Sequence, residues 1–340
     1  IMNNLKKVGL SALAGSLAVV SANATEYTVT GDSHLVWSSQ EGNEASASAS
    51  NGKGIGMDTD LYFNASGELD NGWTMSFFQA IDMDGSGNNS SAQGTLGMGS
   101  LGTVVFADVG GTGANAIDDV LPFAYEETWH GTTHARAFDS FGSSTTSGAI
   151  DYRTPAFSIG DISLSATYAY DPNAGVAAPS TGGVGTGDSG TAWSVKASGM
   201  GLTVGGGIEE INGGLQATGS TELSRATGYI KYSNGPLTIG YQEMFNNTAV
   251  ASAGNAVQDV EGDGFGIAIA QDNYSISYAE VSEKNKNVGA TTSLETEMTA
   301  LQGTYTMGAM TIGLSMYETD NPEGATGKYE DTELSLNFAF

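Results

Sequence analysis

From Glu26 onward the chain is written in short runs in which apolar and polar residues alternate, the period of a β-strand whose two faces meet different surroundings. Tyr27, Val29, Leu35 and Trp37 share one face of the first run, and Thr28, Thr30, Asp32 and His34 share the other. In the second, Met57, Leu61, Phe63 and Ala65 alternate with Asp58, Asp60, Asn64 and Ser66, and Trp73, Met75, Phe77 and Ile81 mark the third. Asn71-Gly72 between the second and third predicts a hairpin with a two-residue type I′ turn, because both central positions of that turn need positive φ. The pattern recurs to Phe340 and predicts 16 strands joined by seven tight turns and eight longer loops. Short connections at one end and long ones at the other fit a closed antiparallel barrel spanning a membrane better than a secreted sandwich. Met310, Ile312, Leu314 and Met316 would then face lipid while Thr311, Gly313 and Ser315 face a lumen. Sixteen strands enclose more space than side chains fill, so the lumen holds water.

One segment breaks the alternation. Residues 110–148 include Ile117, Val120, Leu121, Phe123 and Trp129, too apolar for a solvated linker, and a long loop among regular strands commonly carries function. The expected arrangement is a loop folded into the barrel, with a short helical turn beginning near Asn115 and ended by Pro122. Asp118, Asp119, Glu126 and Glu127 would project into the space it crosses.

Lys6 and Lys7, the apolar run Val8 to Val20 and the small residues Ala22-Asn23-Ala24 read as a secretory signal over 1–24, leaving 25–340 as a single barrel domain. The run, about 13 residues, is shorter than the roughly 17–25 a spanning helix needs. With 38 acidic against 11 basic residues the formal charge is −27, which excludes nucleic acid as a partner and draws cations to the surface. There is no cysteine, so hydrogen-bonded backbone and apolar burial alone hold the fold.

Three features together resemble the trimeric general porins of Gram-negative outer membranes, the alphaproteobacterial kind above all. They are the Leu334-Ser335-Leu336-Asn337-Phe338-Ala339-Phe340 strand, the Leu61 to Trp73 hairpin, and the loop Asp118-Asp119-Val120-Leu121-Pro122-Phe123-Ala124-Tyr125-Glu126-Glu127. The resemblance implies that 110–148 is the third extracellular loop and narrows the pore. It also implies that the strand carrying Phe338 and Phe340 is the signal read by the barrel assembly machinery, and that the chain is a homotrimer in outer-membrane lipid. Such porins set acidic loop residues against a cluster of wall arginines and lysines. Here the matching wall residue is Arg153, on an inward face with Asp151, while Arg136 lies in the returning loop; Asp58 and Asp60 occupy inward positions of the second strand, and the second and fourth strands offer no basic residue.

Other chemistry is thin. His130 and His134 have a zinc-like spacing, but Gly131-Thr132-Thr133 between them opposes a helix. Asp82, Asp84 and Ser86 match the opening of a calcium loop, though Gln93 stands where the bidentate acid belongs. Gly205-Gly206-Gly207 and Gly264-Phe265-Gly266 lack the strand-to-helix setting of phosphate loops and read as glycines that ease barrel curvature. No nucleophile elbow is present, so no enzyme is expected, and no cofactor beyond that calcium candidate. The reading is a general diffusion porin, a water-filled and cation-preferring channel for small hydrophilic solutes and ions. The alternatives are a solute-selective porin or a calcium-dependent structural or adhesive exported β-protein.

Overall fold

A computed structural model describes residues 26–42, 51–83, 88–109, 112–128, 141–142, 145, 148–174, 188–212, 223–248, 258–287, 294–322 and 326–340. The expected signal segment, His130, His134, Arg136, Asp84 and Ser86 lie outside the described residues.

The strands are β1 (Glu26–Gly42), β2 (Gly52–Glu68), β3 (Thr74–Asp82), β4 (Asn88–Gly97), β5 (Thr103–Val109), β6 (Ala149–Arg153), β7 (Phe157–Ile159), β8 (Ile162–Ala174) and β9 (Asp188–Gly199). They continue as β10 (Leu202–Asn212), β11 (Leu223–Asn234), β12 (Leu237–Thr248), β13 (Gln258–Gln271), β14 (Tyr274–Asn287), β15 (Thr296–Met307), β16 (Met310–Asp320) and β17 (Lys328–Ala339). Each pairs antiparallel with the next along the chain, except that β6 and β7 both pair with β8, and β1 pairs with β17 from Asp32↔Ala339 to Gly42↔Tyr329. That pairing closes the sheet into a barrel, the condition for a sheet in hydrocarbon.

The seventeen segments form a barrel of sixteen strands, because β6 and β7 lie end to end on one line and both pair with β8. Arg153 pairs with Thr167 and Phe157 with Leu164, so one strand carries an extra residue between the two rungs. Pro155 lies at that bulge, where its missing N–H leaves no ladder bond unmade. Thr154 holds the break together, its N–H donating to the Ala166 carbonyl (2.9 Å) and its Oγ1 accepting from the Ala166 N–H (3.0 Å).

The two faces separate by residue parity, as the alternation predicts. Ile55, Met57, Val195 and Tyr274 stand exposed on the outside, each more than 60% accessible, while the opposite face carries Thr227, Gln242, Ser277, Gln302 and Ser335, all buried. An apolar exterior of this extent needs a cover that water does not provide. The hairpin after β2 departs from expectation. Only Gly72 takes a positive φ (79°), and the Gly72 N–H donates to the Leu69 carbonyl (2.8 Å) while the Leu69 N–H donates to that of Trp73 (2.7 Å). These bonds define a three-residue loop, Asp70-Asn71-Gly72, closed by a glycine in the left-handed region. A two-residue turn of positive φ occurs instead at Met200-Gly201, between β9 and β10.

Candidate functional site

Residues 112–128 leave the wall after β5 and run along the polar face of the strands from β8 to β17. The Gly113 N–H donates to Asp151 Oδ2 (2.7 Å), and a Cβ at 113 would stand 2.9 Å from the Thr167 methyl, so only glycine can pass this close. A single 3₁₀ turn follows at Asn115–Ile117, at the place where the sequence predicts a helical turn. At its end, Gln242 of β12 accepts from the Val120 N–H (2.9 Å) and donates to the carbonyls of Ile117 (3.0 Å) and Asp118 (3.2 Å). Ser277 of β14 then accepts from Ala124 (2.8 Å), and Gln302 of β15 accepts from Tyr125 (3.0 Å) and Glu126 (3.3 Å). Tyr125 reaches β1, where its hydroxyl meets His34 Nε2 with the two rings edge to face. Burial raises the tyrosine's pKa.

Glycines in the wall give this segment room. A Cβ at Gly240 or Gly266, which are paired residues of β12 and β13, would lie 2.7 or 2.9 Å from Pro122 Cδ. At Gly207 it would lie 2.6 Å from the Phe141 ring, and at Gly313 2.9 Å from that of Tyr125. Gly207 and Gly266, read from sequence as easing curvature, are thus also seats for loop side chains. Ala114, Ile117, Leu121 and Phe141 close over them onto inward-facing Tyr229, Met244, Val260, Val281 and Met298, making a dry core inside the barrel. The expectation that inward positions are polar fails at those five residues, because the loop covers them.

The charges sort into two groups. Of the four loop acids, Glu127 is exposed and Asp118, Asp119 and Glu126 are half-buried, with one carboxylate oxygen of Asp119 and one of Glu126 fully covered. Burial lifts the Asp119 pKa to about 7, with Glu127 and Asp118 adding to the rise and the Leu121 N–H and Lys231 opposing it. Asp151, fully buried, accepts from Arg153 Nε at 2.7 Å as well as from Gly113, so it braces the start of the loop and neutralises the arginine. Glu209, also fully buried, does the same on the return limb, accepting from Arg225 (3.0 Å) and from the Gly142 N–H (2.9 Å). Both arginines are thus paired with buried carboxylates, and Lys231 of β11 is a wall cation whose charge reaches Asp119.

On β1 to β3 the inward positions carry Asp32, Asp58, Asp60 and Asp82 in adjacent rungs, Asp60 pairing with Asp32 on one side and Asp82 on the other. Tyr62 donates to Asp32 (2.6 Å) and stacks on Phe78. Carboxylate oxygens of Asp58, Asp60 and Asp82 lie within 4.8 Å of one another, a donor set that suits a hard cation. Asp82, singled out in the sequence as the opening of a calcium loop, therefore joins the two wall aspartates. No inward position from β1 to β5 holds lysine or arginine. Sequence reasoning missed Asp32, the Gln242 and Gln302 contacts and the glycine seats; the only signal available was glutamine and glycine at inward parity.

A model of the Gram-negative porin family matches residues 9–340. Among curated proteins none matches the chain in sequence. Among solved structures, a porin refined at 1.8 Å resolution superposes with a TM-score of 0.66 at 14% identity, over 93% of this chain and 100% of that one. OmpF of Salmonella typhi in complex with daunomycin gives 0.68 at 10% identity, over 92% and 97%. The trimer form of OmpT from Vibrio cholerae gives 0.65 at 11%, over 93% and 100%.

Proposed function

The chain belongs to the Gram-negative porin family, and from that premise we propose that it is a passive channel of the outer membrane for small hydrophilic solutes and ions that passes cations in preference to anions. The observation that carries the preference is the sign of the charge on both sides of the water path. Asp118, Glu126 and Glu127 line the loop, and Asp32, Asp58, Asp60 and Asp82 line the wall of β1 to β3 without a basic residue among them. A lumen bounded by low-dielectric walls and one sign of charge concentrates counter-ions and excludes co-ions. Arg153 and Arg225, which could set a transverse field, are instead paired with Asp151 and Glu209.

A homotrimer is part of the proposal, supported by the trimer form of the structurally similar Vibrio cholerae OmpT. So is a role for the β17 strand and Phe340 in assembly, supported by the seam they make. The Phe340 N–H and carbonyl both bond Gly31 at 2.8 Å, and a Cβ at Gly31 would meet the Phe340 ring at 2.8 Å.

The test is the reversal potential of the purified protein in a planar bilayer under a salt gradient, with and without Asp118→Asn, Asp119→Asn, Glu126→Gln and Glu127→Gln together. The wild-type channel should be cation-selective and the fourfold variant less so, with the barrel still folded. An equal reversal potential in the two would remove the loop acids from the mechanism.

A further inference from the structure

The loop acids owe their position to two side chains that never reach the water path. Gln242 is fully buried and Gln302 nearly so, and both sit behind the loop, on the wall side. A glutamine offers an acceptor and a donor on one planar group, so it can satisfy an N–H and a carbonyl of the same backbone stretch at once. Both are used that way here. Gln242 takes the Val120 N–H on its oxygen and gives its nitrogen to the Ile117 and Asp118 carbonyls and to Thr227 Oγ1 (2.9 Å). Gln302 takes the Tyr125 and Glu126 N–H groups and gives its nitrogen to the Glu126 carbonyl (2.5 Å) and Tyr317 (3.3 Å). Between the two clamped stretches stands Pro122, which has no N–H to satisfy and rests on the Gly240 and Gly266 seat. The segment has no strand partner, so these buried backbone groups have to find their bonds in side chains. Each clamp grips the backbone of an acid directly, Asp118 in one case and Glu126 in the other.

We propose that Gln242 and Gln302 are positioning residues for ion selection, holding the loop backbone so that the half-buried Asp118 and Glu126 stay beside the exposed Glu127 at the water path. The proposal rests on the pore reading above and adds to it the groups that set the geometry of the filter. An apolar side chain of similar size would fill the same space without gripping the loop, and the acids beside it would move away from the path.

Single-channel conductance and reversal potential in a salt gradient test this on Gln242→Leu, Gln302→Leu and the double variant. The expected result is a change in conductance and a reversal potential shifted toward zero, in barrels that retain heat-modifiable mobility. In an Asp118→Asn, Glu126→Gln background, Gln302→Leu should shift the reversal potential no further, since the clamp acts through those acids; a merely structural role would not show that dependence. Should Gln302→Leu fail to assemble, Gln302→Asn keeps the amide but shortens its reach and should give the same shift. Wild-type conductance and reversal potential in a folded Gln302 variant would overturn the clamp. A wild-type channel without cation preference would sink the selectivity reading instead, and the conductance comparison would still decide whether the glutamines hold the loop.

Discussion

Replacing Gly240 by alanine sets a general rule against a local one. Glycine inside a strand is worse than alanine by roughly 0.5–1 kcal/mol, so by that rule the substitution stabilises. At this position the new methyl would stand 2.7 Å from Pro122 Cδ. Carbon atoms settle about 3.5–4.0 Å apart, so the loop must retreat by about 1 Å. Crowding of this kind costs on the order of 1–3 kcal/mol. The Val120 N–H to Gln242 bond, 2.9 Å long and made from the same strand, would stretch past hydrogen-bonding range and forfeit about 1 kcal/mol more. The local terms win, and they fall on the docking of the loop while the β-ladder stays intact. Gly228 supplies the control, because a Cβ there meets nothing within 4 Å. We expect Gly228→Ala to conduct as wild type and Gly240→Ala to show altered conductance and a reversal potential nearer zero, both in planar bilayers, with the two barrels equally folded. If Gly240→Ala and Gly228→Ala cannot be told apart, the seat has no energetic meaning and the reasoning fails.

Two further outcomes are expected. Glu209→Ala leaves Arg225 without its carboxylate and Gly142 without its acceptor; loss of one partner of a buried pair costs about 3–5 kcal/mol, to be read as a lower urea midpoint for the barrel in lipid vesicles, and an unchanged midpoint would argue against it. Asp119 gives a pH signature. Its pKa stands at about 7 in the folded protein against 3.8 ordinarily, so between those values the folded state holds a proton that the unfolded state has lost. Its contribution to stability is therefore greatest below that window and declines as pH rises through it. Its charge appears only above about 7, so cation selectivity should weaken as pH falls through 7 and Asp119→Asn should remove that step; a step that persists in the variant belongs to another group.

The strands and the faces of the strands were legible in the sequence, because a period of two over many runs is a direct record of which side chain meets which medium. The seats were not. Gly207 and Gly266 look alike whether a glycine bends a strand or leaves room for a proline or a phenylalanine, and only the loop's path separates the two uses. Gln242 and Gln302 were hidden for a related reason: a polar residue at inward parity is expected to face water, and nothing local says that backbone will cover it. Asp119 was read together with Asp118, Glu126 and Glu127 because composition cannot say which carboxylate oxygens within one loop are covered. The turn at residues 70–72 shows the same limit, since Asn-Gly marks a turn reliably but not the number of residues in it.

The seam between β1 and β17 sets the order of events in folding. Every other pairing joins strands that follow one another along the chain, so each can zip onto the last as soon as it exists. The contact of Asp32 with Ala339, and of Gly31 with Phe340, instead spans almost the whole described sequence. Until it forms, the sheet is a ribbon with two open margins, each able to recruit another chain. Non-local pairings of this kind are slow because their entropic cost precedes their reward. Closure is thus the step at which a half-made barrel is most exposed to aggregation, and it is governed by residues that lie far from the water path.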